Sequence, residues 1–496
     1  MKKFFKKKHV HLYVLFLILL GAAILRFYNV PYRYGMGVET IRDAVIGIEG
    51  ARQLQFPLVG SFSSLGPFTF GPWYAYQLIL ATIILPFVYT PWIYLGVISV
   101  LYVFIMYKIG YLLGGKVFGL VLAFISAISP AQVISATHLT SHNNTNLFAA
   151  LSIWIFLKLL SKNISYWWGF ALGIVIGVGM NLHFQMAGLL ILPLIVLFYK
   201  RKKYLYFLTS AAGVIVAFVP LLFFELNNNW FNTRNIFYYV TEGKNAIYVP
   251  NRWLFYVRDF WPSFWSDALG TPVWVANVII AVLIAALAWT FYKKKLSLPM
   301  VFIIVAFVFN FILLRYYWGP RYFGYLNFLR PFVFIFTTFT ILHLGRIKIR
   351  AYAAVFALLI LTFFAIPKVM PELGKDPFTM SMYSAIDDLE RAYPNENFVL
   401  YTCSLTIQTA RERETYSLLF ILDLKHKFNK EGMKIGLSSD CEFPSGVDLG
   451  SKEISPIGLY NFSDASEKSL IDKGWKYVTF GQIYDSHTKW WIREQF

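Results

Sequence analysis

Long apolar segments separated by short basic clusters dominate the pattern of this chain. A helix needs about 20 apolar residues to cross the hydrocarbon core of a membrane. Segments of this kind recur from the amino terminus to about residue 370. The pattern predicts about eleven crossings, at residues 10–28, 92–112, 118–136, 145–160, 166–182, 185–199, 205–225, 272–292, 299–316, 329–345 and 351–369.

The basic clusters predict the orientation of these crossings. Lys and Arg collect in cytoplasmic loops, and here they cluster at residues 2–8, 108–116, 158–162, 200–203, 293–295 and 346–350. The amino terminus is therefore expected inside and residues 370–496 outside, in the plasma (inner) membrane. This orientation requires that the apolar stretch 72–89 does not cross the membrane. It is short, contains Pro86 and is rich in interfacial Trp and Tyr, so we predict a helix at the outer surface within a first outer loop, 29–91.

Composition supports a membrane protein. Of the 496 residues, 57% are hydrophobic and 14% charged, and the mean hydropathy is +0.55, too much apolar surface for a soluble domain. The net charge of +19 does not indicate nucleic acid, because its Lys and Arg lie between apolar segments, where cytoplasmic loops meet anionic lipid. No phosphate-binding loop or metal-ligand motif occurs. We therefore expect no cofactor, no metal and no ATP-driven transport.

Residues 370–496 have a different character, with shorter apolar runs and mixed charges. Helical periodicity at 380–393 precedes strand-like segments at 397–404, 433–439 and 475–484. We predict a small extracytoplasmic α/β domain after a membrane domain of residues 1–369. Cys403 and Cys441 both fall in this part, and a disulfide and two free thiols are both compatible with the sequence.

Most acidic and His residues of the membrane part fall in outward loops, so chemistry is expected on the outer face. The stretch "GVETIRDAV" follows the first apolar segment. On a helix, Glu39, Arg42 and Asp43 would share a face through i, i+3 and i, i+4 spacing. A solvated, self-paired helix surface is the alternative interpretation.

Several ordered segments carry a resemblance to a known family: "RFYNVPYRYGMGVETIRDA", "FPLVGSFSSLGPFTFGPWYAYQLI", "AISPAQVISATHLTSHNNTNLF", "FVPLLFFELNNNWFNTRNIFYYV" and "RYYWGPRYFGYLNFLRPF". Over roughly residues 10–345 the chain resembles the polytopic glycosyltransferases of the GT-C fold, in the group of protein O-mannosyltransferases and aminoarabinose transferases. The resemblance implies inverting transfer of a sugar from a polyprenyl-phosphate carrier to an acceptor on the outer face. Glu39 aligns with the family's first-loop catalytic aspartate, one methylene longer, and Asp43 is the alternative base.

The resemblance and the chemistry of a phosphate leaving group also suggest substrate-binding residues. Arginine matches phosphate oxygens, and Arg321 with Tyr322 is the leading candidate; interfacial anchoring is the alternative for each outer-face arginine. Glu225 matches a recurrent family acid or pairs with an arginine. The short loop "HLTSHNNTN" suits hydrogen bonding to a sugar, while the spacing of its His residues fits no firm metal signature. The predicted substrate-binding set is Arg42, His142, Asn143, Asn144, Glu225, Arg234, Arg258, Arg321 and Tyr322.

Two other function classes remain open at this stage. Many helices and buried polar residues also suit a transporter or flippase of lipid-linked glycans, although no internal repeat is evident. The Glu39 replacement also suits an inactive, glycan-binding relative. The sequence leaves the sugar and the acceptor (glycan, lipid or protein) undetermined.

Overall fold

The structure, a computed structural model, describes residues 10–33, 35–63, 67–161, 164–199, 204–242, 252–317, 321–343, 347–402, 412–437 and 459–488. Cys403 and Cys441 lie outside these ranges. The described α-helices are α1 Val10–Phe27, α2 Val30–Arg33, α3 Val38–Gln53, α4 Trp73–Ile84, α5 Thr90–Ile128, α6 Pro130–Ser135, α7 Ser141–Leu159, α8 Trp167–Leu182, α9 Ile191–Tyr199, α10 Tyr204–Asn227, α11 Phe231–Glu242, α12 Arg252–Phe255, α13 Trp261–Leu269, α14 Val273–Tyr292, α15 Leu298–Arg315, α16 Arg330–His343, α17 Ile347–Glu372, α18 Pro377–Ala392, α19 Glu412–Leu424, α20 Asp464–Asp472 and α21 Phe480–Thr488. Two 3₁₀ segments, Phe184–Leu190 and Phe323–Leu329, and a π-helical turn, Tyr256–Phe260, complete the helical set.

The chain is a multi-pass membrane protein. Among the described residues, seven helical stretches are long and apolar enough to cross a membrane, and further apolar helices are shorter. Helix α4 has 12 residues, a length of about 18 Å against about 30 Å of hydrocarbon. The number of eleven crossings and the orientation of the termini stay predictions.

Helix α5 contains two predicted crossings joined by a tight turn. The turn lies at Gly114 and Gly115, where Gly115 has a φ of +80°, a conformation that favours glycine. A Cβ on Gly110 would lie 2.7 Å from the Cα of Gly119, so the two legs fold back against each other. The second leg ends at Ile128 rather than at the predicted residue 136, because Pro130 follows and disfavours a helical conformation at Ser129.

The connection 226–271 is largely helical in its described part. It contains α11, α12, the π-helical turn and α13. The aromatic side chains of Trp261, Phe264 and Trp265 in α13 are buried in the main core of the bundle. This connection therefore contributes to the membrane bundle, which its length and mixed composition did not indicate.

The carboxy-terminal part contains a four-stranded mixed sheet in the order β3-β2-β1-β4. Its strands are β1 Phe398–Thr402, β2 Met433–Leu437, β3 Leu459–Asn461 and β4 Lys476–Tyr477. Strands β1 and β2 are parallel, and β3 and β4 pair antiparallel at the two edges. The predicted α/β architecture is confirmed.

The predicted strand 475–484 is mostly wrong. Only Lys476–Tyr477 is extended, and α21 begins at Phe480. Thr479 and Gln482 explain the change, since the Thr479 backbone N–H donates to Gln482 Oε1 at 3.0 Å and the Gln482 N–H donates to Thr479 Oγ1 at 3.2 Å. This reciprocal capping box starts a helix.

Helix α3 connects the membrane bundle to the carboxy-terminal part. Ile41, Val45 and Ile48 share one hydrophobic core with residues of α4, α18, α19 and the sheet. A Cβ on Gly47 would lie 2.8 Å from the Leu78 Cβ, so α3 and α4 approach closely. The helix that carries the first polar motif is thus enclosed on both sides.

Candidate active site

The first polar motif lies in the first two turns of α3. Arg42 Nε donates to Asp43 Oδ1 at 2.8 Å, and both side chains are buried. Glu39 is exposed in the first turn, and its charge acts on both residues through space. The spacing predicted a shared face, yet the direct ion pair joins Arg42 to its chain neighbour Asp43 and leaves the Glu39 carboxylate facing outward.

A hairpin between α3 and α4 lies against this ion pair. The Gly60 N–H donates to the Phe70 carbonyl and the Phe70 N–H to the Ser61 carbonyl, both at 2.9 Å. Ser61 Oγ accepts from Arg42 Nη2 at 3.3 Å and donates to Asp43 Oδ1 at 3.5 Å. The glycine- and proline-rich segment therefore packs on the polar motif.

Helices α8 and α11 anchor the far side of this hairpin. The Gly71 N–H donates to the Asn181 carbonyl at 3.0 Å, and a Cβ on Gly71 would lie 1.6 Å from Asn181 Oδ1. Asn232 accepts from the Thr69 N–H at 2.8 Å and donates to Thr69 Oγ1 at 2.7 Å. Only glycine fits at position 71.

Asp43 has an unusual environment for a carboxylate. Its Oδ2 is buried without a hydrogen-bond partner among the described atoms, as is the Tyr74 hydroxyl. Both residues line a cavity of about 10 Å³, which is about the size of one water molecule. Burial raises the pKa of Asp43 to about 6, against the opposing effect of Arg42.

Aromatic and imidazole rings extend from the hairpin across the same end of the bundle. Phe70 stacks on His183, with 5.2 Å between ring centroids. His183 lies 4.8 Å from Tyr325 by the same measure, and His142 and Tyr322 each lie 5.4 Å from Tyr325. We call Phe70, His142, His183, Tyr322 and Tyr325 the aromatic wall.

The predicted residues Asn143 and Asn144 hold α7 in place behind the aromatic wall. Asn143 Oδ1 accepts from Asn327 Nδ2 at 2.8 Å, and Asn143 Nδ2 donates to the His138 carbonyl at 2.7 Å. Asn144 Nδ2 donates to Gln77 Oε1 at 3.4 Å. Both side chains are buried; Asn143 positions α7 against the Phe323–Leu329 segment, and Asn144 positions it against α4. His142, in contrast, is only partly buried.

Two arginines lie at the other end of the wall. Arg315 is buried over the Trp253 ring, 4.9 Å from its centroid, with Nε and Nη1 unpartnered among the described atoms. Arg321 lies 5.6 Å from the Tyr256 centroid and donates to the carbonyls of Leu314, Arg315 and Tyr317.

These two cations have no acidic partner among the described ion pairs. Burial lowers the pKa of Arg321, and the nearby charges of Arg315 and Arg252 lower it further. Arg321 directly precedes Tyr322 of the aromatic wall in the chain, and its Nη2 donates to the Arg315 carbonyl at 3.2 Å. This end of the aromatic wall therefore concentrates positive charge.

Three other predicted residues have no described contact with the α3 motif. Both carboxylate oxygens of Glu225 accept backbone N–H groups at the start of α11, from Asn232 at 3.0 Å and Thr233 at 2.9 Å. Arg258 is exposed and forms a bidentate pair with Asp259, with both distances 3.0 Å. Arg234 is exposed on α11. For Glu225, the geometry is that of a helix cap.

Sequence reasoning missed several residues that organise the site. Ser61 and Tyr325 gave no motif of their own. Arg413 of α19 donates through Nε to the Met36 carbonyl at 2.7 Å, three residues before Glu39. Arg330 binds Asp267 at 3.0 Å behind the wall. The only signal for Arg330 was a charged residue at the start of an apolar segment, which marks a functional or paired position.

The helical membrane bundle with its attached α/β part has the GT-C fold, as its similarity to solved structures shows. The solved structures of ArnT from Cupriavidus metallidurans have this architecture. The apo form is 12% identical with a TM-score of 0.55, covering 84% of this chain and 85% of that chain. The form bound to undecaprenyl phosphate is 10% identical with a TM-score of 0.57, covering 91% and 98%.

The apo oligosaccharyltransferase of Archaeoglobus fulgidus is also similar, at 16% identity and a TM-score of 0.47, covering 83% of this chain and 60% of that chain. In sequence searches, the chain matches no protein-family model and no curated protein.

Proposed function

We propose that this protein is an inverting membrane glycosyltransferase that moves a sugar from a polyprenyl-phosphate carrier to an acceptor at the outer face. One observation supports this most directly. Asp43 of the buried Arg42–Asp43 pair lines one cavity with Phe70 of the aromatic wall, and the exposed Glu39 lies one turn earlier on α3. Arg321 directly precedes Tyr322 at the other end of the wall. The similarly folded ArnT is solved with undecaprenyl phosphate, which supports a lipid-phosphate donor.

Glu39 is the proposed general base. The acceptor hydroxyl attacks the anomeric carbon while its proton passes to the Glu39 carboxylate, and the bond from that carbon to the phosphate oxygen breaks. A positioned carboxylate typically contributes about 10²- to 10⁴-fold to such a step. Glu39 suits this role better than Asp43, because its side chain is exposed, whereas Asp43 is buried and already bonded to Arg42 and Ser61.

The departing lipid phosphate needs positive charge. Arg315 offers two buried N–H-bearing nitrogens without described partners, and fixed cations aimed at developing charge are a large catalytic contribution. Arg321 adds charge while its described hydrogen bonds hold the end of α15. Unlike a surface arginine such as Arg258, neither is neutralised by a carboxylate in the described ion pairs.

The sugar is proposed to lie along the aromatic wall. Tyr322 is 60% exposed, and Tyr325 lies between two imidazoles. Aromatic faces bind the apolar side of a sugar ring, while His142 and the Tyr hydroxyls can bond its hydroxyl groups. This assigns the predicted His142 and Tyr322 to donor-sugar binding.

The decisive experiment compares wild type with Glu39→Gln in lipid nanodiscs, using radiolabelled polyprenyl-phosphate sugars. We expect release of sugar from the carrier by wild type and a loss of at least about 100-fold in Glu39→Gln. Glu396→Gln, which changes an exposed acid of the carboxy-terminal part, is the matched control. Carrier binding without sugar release by wild type would instead favour a glycan-binding relative, and release undiminished in Glu39→Gln would remove Glu39 from the mechanism.

A further inference from the structure

A second cavity lies between α3 and the carboxy-terminal part, away from the aromatic wall. Its volume is about 340 Å³, and it is lined by the last turns of α3, by α19 with the segment that follows it, and by the start of α21. This volume lies within the roughly 300–1,000 Å³ range of small-molecule sites. None of the residues in the proposed transfer step lines it.

The polar groups of this cavity are held in fixed positions. Arg52 Nη2 lies 2.8 Å from Asp423 Oδ2 and Arg52 Nη1 lies 3.7 Å from Glu49 Oε2. Gln53 Nε2 donates to Glu49 Oε1 at 2.6 Å. The Arg52 guanidinium also lies over the Phe480 ring, 5.4 Å from its centroid. A cation, two carboxylates and an amide are thus already oriented around one space.

The charges of the lining cancel. Glu49 and Asp423 are acidic, while Arg52 and Lys430 are basic. A phosphate would meet two carboxylates, and an ammonium would meet two cations. An uncharged ligand with many hydroxyl groups fits this set, because each hydroxyl can donate to a carboxylate and accept from the guanidinium or the amide. The rings at Phe428 and Phe480 add apolar surface of the kind that the faces of sugar rings cover.

We propose that this cavity binds a neutral carbohydrate portion of the acceptor. The proposal rests on the proposed glycosyltransferase function and specifies its acceptor class as a glycan or a glycan-bearing molecule. Helix α3 carries both places: Glu39 and Glu49 are ten residues apart, which corresponds to about 15 Å along the helix axis. Residues 40–48 between them are buried, so an acceptor held in the cavity reaches Glu39 around α3 and not along its surface, with its terminal hydroxyl beyond the bound portion.

Gly481 permits a selective test. A Cβ at this position would lie 3.9 Å from Glu49 Oε1 and 4.0 Å from Gln53 Nε2, with no closer contact. A Cβ at residue 481 therefore fits without displacing the ion pairs, and a longer side chain extends from this position in the cavity lining. Gly481 is also in the first turn of α21, where a non-glycine residue favours the helix. Gly481→Gln fills the cavity, and Gly481→Ala is the matched control.

The experiment measures binding of full-length protein in nanodiscs to a printed array of neutral oligosaccharides, without donor. We expect wild type and Gly481→Ala to bind at least one oligosaccharide and Gly481→Gln to bind it at least about tenfold more weakly. Equal melting temperatures of the three proteins would exclude unfolding as the cause; if Gly481→Gln melts lower, Lys430→Ala replaces it, since Lys430 is exposed on the rim.

Binding of no neutral oligosaccharide by wild type would overturn the proposal, as would equal binding by wild type and the cavity-filling variant. Sugar release from the polyprenyl-phosphate donor is measured in parallel. Donor turnover without oligosaccharide binding would refute the glycan site and leave the proposed function intact. Oligosaccharide binding without donor turnover would refute the proposed function and leave the glycan site intact.

Discussion

Glu225 offers the clearest test of a structural role against a substrate-binding role. The family resemblance suggested that this acid binds substrate, whereas its two carboxylate oxygens accept the N–H groups of Asn232 and Thr233. Helix α11 begins at Phe231, so these are among the N–H groups that have no partner inside the helix. We expect Glu225→Gln to loosen the start of α11 without abolishing sugar transfer.

The two hydrogen bonds of Glu225 determine how much stability Glu225→Gln should lose at the start of α11. A hydrogen bond to a charged group contributes about 1.5–3 kcal/mol, and Gln retains one of the two acceptor oxygens. Loss of the negative charge at the helix amino terminus removes about 0.3–1 kcal/mol more. The local free energy of opening should therefore fall by about 2–4 kcal/mol, which corresponds to an amide exchange rate about 30- to 1,000-fold faster.

Hydrogen exchange with mass spectrometry, on peptides covering residues 229–242, measures this change directly. Exchange should also rise in residues 67–71, because the Asn232 side chain holds Thr69. Glu242→Gln is the matched control, since it removes an exposed carboxylate from the opposite end of the same helix.

Unchanged exchange in Glu225→Gln, combined with a large loss of transfer, would refute the capping explanation. It would return Glu225 to the substrate-binding residues. Equal effects of Glu225→Gln and Glu242→Gln on exchange would also contradict it, because of these two acids only Glu225 has a described contact with the first turn of α11.

Two further predictions concern α3. Burial raises the pKa of Asp43 to about 6 from 3.8, so ionisation of Asp43 reduces stability as the pH rises from about 4 to 6. Below about pH 6 the Asp43 charge beside Arg42 is lost, so the transfer rate should fall in a step near pH 6 as the pH is lowered, and Asp43→Asn should lack this step. Persistence of the step in the variant would assign it to another group. Arg413→Ala removes the bond to the Met36 carbonyl and should lower kcat by about 10- to 100-fold with donor binding unchanged, because small misplacements of a catalytic base are costly. Arg391→Ala, which changes an exposed arginine, is the control. A loss confined to donor affinity would contradict a positioning role for Arg413.

The membrane architecture was largely accessible from sequence, because its signals are local. Apolar length and basic clusters are read directly from the chain, and the GT-C fold followed from ordered segments. The errors arose where a short local motif outweighed composition. Ser129–Pro130 ended a helix early, and the Thr479–Gln482 capping box replaced a strand by a helix.

The candidate site was accessible only in part, because its members are brought together by tertiary packing. Helical spacing identified Glu39, Arg42 and Asp43, but it could not show that Asp43 is buried and Glu39 exposed. Tyr325 lies between His142 and His183 through contacts among three separate segments. The periodicity of the sequence cannot predict contacts of this kind between distant segments.

Helix α3 explains why the membrane part and the carboxy-terminal part are better understood as one functional unit. Its apolar residues enter a core shared with α18, α19 and the sheet, and Arg52 binds Asp423 at 2.8 Å. At its amino-terminal end, Arg413 holds the Met36 carbonyl. The orientation of Glu39 relative to the aromatic wall therefore depends on contacts made by residues beyond 400. A carboxy-terminal part that binds an acceptor and also holds the helix bearing the base can couple acceptor binding to the geometry of transfer, because any ligand that tightens the Arg52–Asp423 contact also restrains α3.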